Sequence, residues 1–330
     1  MLEWLEITQR ADVAAARQQS RAEALGAGLP EARAEDIAIV ATELCTNMIK
    51  YADGGRFLAQ VMPQPAGVSV ALIATDQGPG IPDPTAARKD HVSGGQGAGI
   101  GIGAIERLSS SAEMATGPAG TIWACRFDKD TTCPHGLDIA GLRLAYPNES
   151  VCGDAWGTVA HRSGLRLALV DGMGHGAKAA DAGQTMIDMA LARPAGTPKA
   201  RIRQMVHDLQ RSRGGVVSIL DLAPDAQRVT YGNLGNISGL RLCAGEAKRL
   251  VTRDGFIGSA NGRPMEEEHE FQAGDLLILH SDGLRSIDSD QLDQLCNYSA
   301  LMVAAQLLAR QDLRRKDDIG IAVARWPAAH

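Results

Sequence analysis

Apolar residues recur at helical spacing over residues 13–25 and 34–51, then contract into compact runs at 57–62 and 68–74 that read as strands. A glycine-rich stretch, a helix over 100–108 and the strand-like TIWACRF (121–127) complete a first block with long helices and an antiparallel component. A polar stretch at 128–136, DKDTTCPHG, separates it from a block with a different rhythm. There LRLAYP, LRLALV, GVVSILDL, QRVTYGN, GDLLILHS and a last DIGIAVARW read as many short strands, with helices expected at 177–191, 199–211 and 291–308. The pattern predicts an α/β chain of two domains, over 1–130 and 137–330, the second a β-sandwich flanked by helices.

Composition narrows the classes without naming one. The 330 residues are 45% hydrophobic and 22% charged, which is ordinary for a globular chain and wrong for a disordered one. A formal net charge of -6 argues against nucleic acid as a partner, since phosphate backbones call for a basic surface. The six cysteines are scattered, with no CxxC pair and no zinc-like spacing, so reduced thiols are expected. The opening MLEWLEITQR lacks a signal-peptide pattern, and no apolar run approaches a membrane span, so a cytoplasmic location is expected.

Three segments of the first block carry candidate chemistry. In ATELCTNMIKYADGG, Glu43 and Asn47 are four residues apart and share one helical face. In LIATDQGPGIPD an apolar strand ends at Asp76 and is followed by Gly78-Pro79-Gly80. In SGGQGAGIGIGAIERL, Gly94, Gly95, Gly97 and Gly99 lead into a helix whose N-terminus favours phosphate. Taken singly, each is equally a solvated helix face, a turn or a loop, and neither GxxxxGK[ST] nor GxGxxG occurs among them. Together, in this order, they resemble the GHKL ATPases, and within them the small serine kinases of anti-sigma and stressosome switches. The resemblance implies a Bergerat α/β sandwich that binds ATP with Mg²⁺. It implies Asn47 as Mg²⁺ ligand, Glu43 as general base or as the residue that orients the nucleophile, and Asp76 as reader of the adenine amino group, with Thr121 nearby. The loop from Gly94 to Gly99 would cover the phosphates.

In the second block, acidic residues recur at strand ends. LALVDGMGHG ends a strand on Asp171-Gly172, ESVCGDAWG offers Asp154, LLILHSDGL ends on Asp282, and RRKDDIGIAVAR begins a strand with Asp317-Asp318. Each alone is also an ordinary turn or solvated strand start. As a set they are oxygen ligands that favour Mg²⁺ or Mn²⁺ over zinc. The glycines after Asp171 read as clearance for something to approach.

CGDAW, VDGMGHG, SDGL and DDIGIAV, in that order, resemble the PPM phosphatases, in particular their stage II sporulation E-like branch. The resemblance implies an αββα sandwich holding two Mn²⁺ or Mg²⁺. Asp171 would be the bridging ligand and catalytic centre, helped by the Gly172 carbonyl and completed by Asp154, Asp282 and Asp317. Cys152 reads as a packing residue, and no arginine for gripping the phosphate is identified.

The two resemblances imply a bifunctional regulatory enzyme. A protein serine/threonine kinase domain and a metal-dependent phosphatase domain would act on a STAS-type anti-sigma antagonist or stressosome scaffold. A sigma factor or downstream switch protein is a further candidate partner. The alternatives are a first domain that sequesters such a partner under nucleotide control, or one that only senses ATP.

Overall fold

The computed structural model describes residues 1–89, 101–129, 133–192, 196–243, 246–285, 287, 292, 294–311 and 316–328. The glycines expected over the phosphates (Gly94, Gly95, Gly97 and Gly99) lie outside them. The chain divides into two compact units at about residue 130.

In the first unit, β1 (Leu5–Ile7), β2 (Gly55–Gln64), β3 (Gly67–Thr75), β4 (Ser111–Gly117) and β5 (Gly120–Asp128) form one sheet of order β1-β2-β3-β5-β4. It is accompanied by α1 (Arg10–Gly26), α2 (Glu31–Ala52), the short α3 (Pro84–Lys89) and α4 (Gly101–Leu108). Asp12 fixes the start of α1 by accepting from the backbone N–H groups of Thr8 and Gln9 at 2.9 and 3.0 Å. α2 buries Ile37, Val40, Ala41, Leu44 and Met48, a helical stripe that shares one core with Phe57, Val70, Leu72 and Phe127. The helix stops at Asp53, left-handed at φ 55. Gly54 follows at φ 118, where a Cβ would stand 2.6 Å from the Ile7 carbonyl.

The second unit is two antiparallel sheets face to face. One contains β7 (Asp154–His161), β8 (Gly164–Gly172), β9 (Gly215–Ala223), β10 (Arg228–Leu234) and β13 (Met265–Glu270), in the order β13-β10-β9-β8-β7. The other contains β6 (Asp138–Leu144), β11 (Ser238–Cys243), β12 (Glu246–Leu250), β14 (Leu276–His280) and β15 (Ile319–Arg325), in the order β12-β11-β14-β15-β6. Helices α5 (Ala177–Leu191) and α6 (Pro198–Asp208) cover the first sheet, and α7 (Ala300–Ala309) covers β6 and β15 of the second. The result is helix, sheet, sheet, helix.

Burial on both faces explains why β8 and β15 read as continuous apolar runs rather than alternating ones. The sheets meet where Trp156 of β7 lies against Gly141 of β6, whose Cβ would strike the indole at 2.4 Å. Arg166 is fully buried within β8 and pairs with Asp221, its cross-strand neighbour on β9, at 2.6 Å through both Nε and Nη2.

The helix expected over 291–308 is interrupted. A turn runs through 296–298, and α7 begins only after Ser299, whose side chain caps the Met302 N–H. Among the described residues no helix is long and apolar enough to cross a membrane.

Candidate active sites

In the first unit a cavity of about 950 Å³ opens between α2, the end of β3, α4 and β5. Asn47, Asp76, Gly78, Gly80 and Thr121 all line it, beside an apolar wall that includes Leu44, Met48, Ile81, Ile102 and Trp123. Its size and its few convergent polar groups suit a nucleotide-sized ligand.

Asp76 follows the last residue of β3 and is locked to β5. Its N–H donates to the Thr121 carbonyl at 3.0 Å, and Oδ1 accepts from the N–H groups of Thr121 and Gly78 at 3.2 and 2.9 Å. Burial raises its pKa, while the two backbone donors pull the other way and favour the carboxylate. Both bonds fall on Oδ1, so Oδ2 can accept from a ligand amino group.

The glycines here permit close approach of backbone. At Gly80 (φ +75) a Cβ would meet the Gly117 carbonyl at 2.3 Å, and at Gly120 (φ +126) it would meet the Asp76 carbonyl at 2.0 Å. They let the β4–β5 hairpin close over the loop after β3. Glu43 behaves differently from its expected companions. It is buried one turn before Asn47 and is not among the residues lining the cavity. Tyr51 and Arg107 line the cavity without having been singled out in the sequence.

In the second unit the four expected acids come to one edge of the sandwich. Asp154 opens β7 and is the direct cross-strand partner of Asp171 at the end of β8. Asp282 follows β14 and Asp317 precedes β15, on adjacent antiparallel strands of the other sheet. Gly320 ties the sheets together there, since a Cβ on it would lie 3.0 Å from the Asp154 side chain.

Burial raises the Asp154 pKa well above its ordinary value, with Asp171 next in importance. Asp171 is pushed up to about 7 by burial, then by Asp282, Asp317 and Asp318. Asp317 is also raised, chiefly by burial. The edge concentrates like charge that water cannot fully screen.

Neighbours hold these acids in place. The Ser281 hydroxyl donates to Asp154 Oδ2 at 2.6 Å and accepts from the Gly320 N–H at 2.9 Å. The Asn236 amide donates to Asp282 Oδ2 at 2.7 Å. Asp317 Oδ1 accepts from the Asp318 N–H at 2.9 Å. Asp318, the other half of the sequence pair, accepts from the N–H groups of Tyr146 and Gly153 at 2.6 and 2.8 Å and is 2% exposed. It is a clamp between chain segments, which leaves Asp317 as the available acid.

Divalent cations suit this edge. Among the described residues, Asp154 Oδ1 is buried with no hydrogen-bond partner, an expensive state for a carboxylate oxygen unless a cation meets it. The donors are hard oxygens. Among the described residues no three His, Cys, Asp or Glu side chains stand in a ready-made metal cage; the acids share an edge rather than a point.

The first glycine after Asp171 serves packing. A Cβ on Gly172 would meet the Ala179 carbonyl at 2.3 Å, and one on Gly183 would meet the Gly153 carbonyl at 2.1 Å, so their absence lets α5 sit against the strand ends. Gly174 and Gly176 turn the chain at φ 81 and 75. His175 stacks on Tyr146, with ring centroids 4.3 Å apart, and its Nδ1 lies 3.1 Å from Glu149. Cys152 is buried beside Asp154 with its thiol pKa raised, first by burial, in keeping with a packing role.

Comparison with known proteins separates the units in the same way. The family described as Histidine kinase-like ATPase domain matches residues 7–126, and the family Stage II sporulation protein E matches residues 161–327. The serine/threonine-protein kinase RsbT of Bacillus subtilis (strain 168) is 32% identical over 108 residues, which is 33% of this chain and 76% of RsbT. A solved structure of the bacterial stressosome, described as a modular system adapted to control secondary messenger signaling, contains a chain 26% identical, with a TM-score of 0.53. The match covers 57% of this chain and 99% of that one. RsbX in complex with magnesium is similar in fold, at 19% identity and a TM-score of 0.51, over 64% of this chain and 98% of that one.

Proposed function

The chain belongs to the Stage II sporulation protein E family through its second unit and carries an RsbT-related, histidine kinase-like ATPase domain as its first, and from that premise we propose a bifunctional switch enzyme. The first unit transfers phosphate from ATP to a serine or threonine of a partner protein, and the second removes it. The partner is a STAS-type anti-sigma antagonist or a stressosome scaffold protein. The observation that carries this reading is the gathering of Asp154, Asp171, Asp282 and Asp317 at one sandwich edge, with a buried carboxylate oxygen that has no hydrogen-bond partner among the described residues.

In the phosphatase unit, Asp171 would be the shared ligand of two Mn²⁺ or Mg²⁺ ions, and the Gly172 carbonyl, Asp154, Asp282 and Asp317 would help to hold them, directly or through water. Bound there, such ions supply positive charge against the phosphoryl oxygens and ease deprotonation of an attacking water. Ser281 and Asn236 orient Asp154 and Asp282, so the ligand oxygens need little rearrangement. In the kinase unit, Asp76 Oδ2 accepts the adenine amino group, Thr121 supports it, and Asn47 supplies an amide oxygen for the Mg²⁺ that accompanies ATP. Phosphoryl transfer needs positioning and charge neutralisation more than covalent chemistry, and such a cavity can supply both.

The place of Glu43 favours one second reading. A general base must reach the proton that it takes, and Glu43 does not line the cavity. On that reading the first unit binds its partner under nucleotide control, and only the second unit is catalytic. Labelled ATP supplied to the full chain with a co-purified STAS-type partner tests the choice. Transfer of label by the Asp171→Asn chain, abolished by Glu43→Ala, is the expected result. No transfer, with nucleotide-dependent retention of the partner, establishes the sequestering role.

A further inference from the structure

Thr116 of β4 is the direct cross-strand partner of Thr121 on β5, and their hydroxyl oxygens lie 3.0 Å apart. Thr116 Oγ1 also accepts from the Ile81 N–H at 2.8 Å. Thr121 and Ile81 line the cavity of the first unit, whereas Thr116 is not among its lining residues. One hydroxyl behind the wall therefore joins two segments of that wall, β5 and the loop after Asp76.

These contacts decide where the hydroxyl hydrogens point. A threonine hydroxyl has one hydrogen to give and two lone pairs to receive with. Thr116 Oγ1 already receives from Ile81, and among the described residues its one further hydrogen-bond contact is Thr121 Oγ1. Donation from Thr116 to Thr121 satisfies both contacts and leaves the Thr121 hydrogen free to turn into the cavity. The reverse direction would send two hydrogens to Thr116 and leave its own without an acceptor among those residues.

Asp76 stands next to Thr121, with Oδ1 engaged by the Thr121 and Gly78 N–H groups and Oδ2 kept as an acceptor. The wall thus offers an acceptor and a donor in neighbouring positions. Adenine carries an amino donor where guanine carries a carbonyl acceptor. The ring nitrogen beside that group is an acceptor in adenine and a donor in guanine. Resting on the ATP reading above, we propose that Thr116 is a positioning residue that sets purine specificity. It fixes Thr121 as donor, directly or through water, to the adenine ring nitrogen, while Asp76 Oδ2 takes the amino group. Guanine opposes both, since its carbonyl meets the carboxylate and its ring N–H meets the Thr121 hydrogen.

Calorimetric titration of the full chain with ATP and with GTP, each with Mg²⁺, tests this. Thr116→Val keeps the shape and removes the hydroxyl, so the Thr121 hydroxyl is free to accept as well as donate. The preference for ATP over GTP is expected to fall by about two- to tenfold, the worth of one neutral hydrogen bond. Thr116→Ala should show the same fall, and Thr116→Ser should restore the preference. In a Thr121→Val background, Thr116→Val should leave the preference where it is, because the two residues act as one unit. Equal weakening of both nucleotides overturns the proposal, since Thr116 would then merely brace the wall. An unchanged ratio in a parent-like binder of ATP overturns it as well and leaves the ATP reading standing. A parent chain that binds neither nucleotide overturns both.

Discussion

Asp76 in the first unit and Asp171 in the second both end an apolar strand ahead of a glycine-rich turn, yet their surroundings differ in kind. Asp76 is met by two backbone N–H groups, that of Thr121 on β5 and that of Gly78 in its own turn. Asp171 faces Asp154 across the strand pair and feels Asp282, Asp317 and Asp318 around it. One carboxylate already has an oxygen engaged by the backbone and keeps the other as an acceptor. The other belongs to a set that needs positive charge before it can hold anything negative. A cavity ready for a neutral base and an edge ready for cations are thus made from the same local motif.

The comparison breaks most directly at Asp171. Asp171→Asn should abolish phosphatase activity while circular dichroism stays unchanged, because an amide keeps the shape and removes the charge. Near-normal turnover of a phosphorylated protein at ordinary Mn²⁺ would contradict the two-metal assignment.

Asp76→Asn should weaken ATP binding by about 1.5–3 kcal/mol, roughly 10- to 100-fold, as expected for a hydrogen bond to a charged group. Calorimetry with unchanged ATP affinity would remove Asp76 from the adenine site. Ser281→Ala, which frees Asp154 Oδ2 from its hydroxyl, should cost about 10- to 100-fold in Mn²⁺ affinity or activity, typical of a residue that orients a ligand. A metal titration matching the parent would show that Asp154 needs no such support.

The smallest effect is a shift in thermal stability with pH. The folded pKa values of Asp154 and Asp171 lie above the ordinary carboxylate value of 3.8, and that of Asp171 is about 7. In metal-free protein their protonated forms are favoured by folding, so that stability is fully present below 3.8 and is lost as pH rises through about 7. Melting in chelator should therefore occur at lower temperature at pH 8 than at pH 5, and Mn²⁺ should restore the loss mainly at pH 8. Equal Mn²⁺ stabilisation at both pH values would mean that these acids do not titrate as a cation site.

Sequence reasoning reached the strand-end acids because an apolar strand that stops on a carboxylate is visible without a structure. It also placed Asn47, Asp76, Gly78, Gly80 and Thr121, which do line one cavity. It did not single out Tyr51 or Arg107, which line the same cavity. It did not show that Gly172, the first glycine after Asp171, makes room for α5. Close packing between segments distant in sequence has no local signature.

By itself the sequence determined the two kinds of layering, through helical stripes in one block and short apolar strands in the other, and the residues at which strands end on acids. The tertiary structure alone decided what each acid has to do. Asp317 and Asp318 are adjacent and chemically identical, and nothing in the order of residues ranks them. Only the fold brings the N–H groups of Tyr146 and Gly153 to Asp318. Those two bonds engage its carboxylate, which is why Asp317 is the one proposed for the cation edge, because an oxygen already held by a buried donor is costly to redirect.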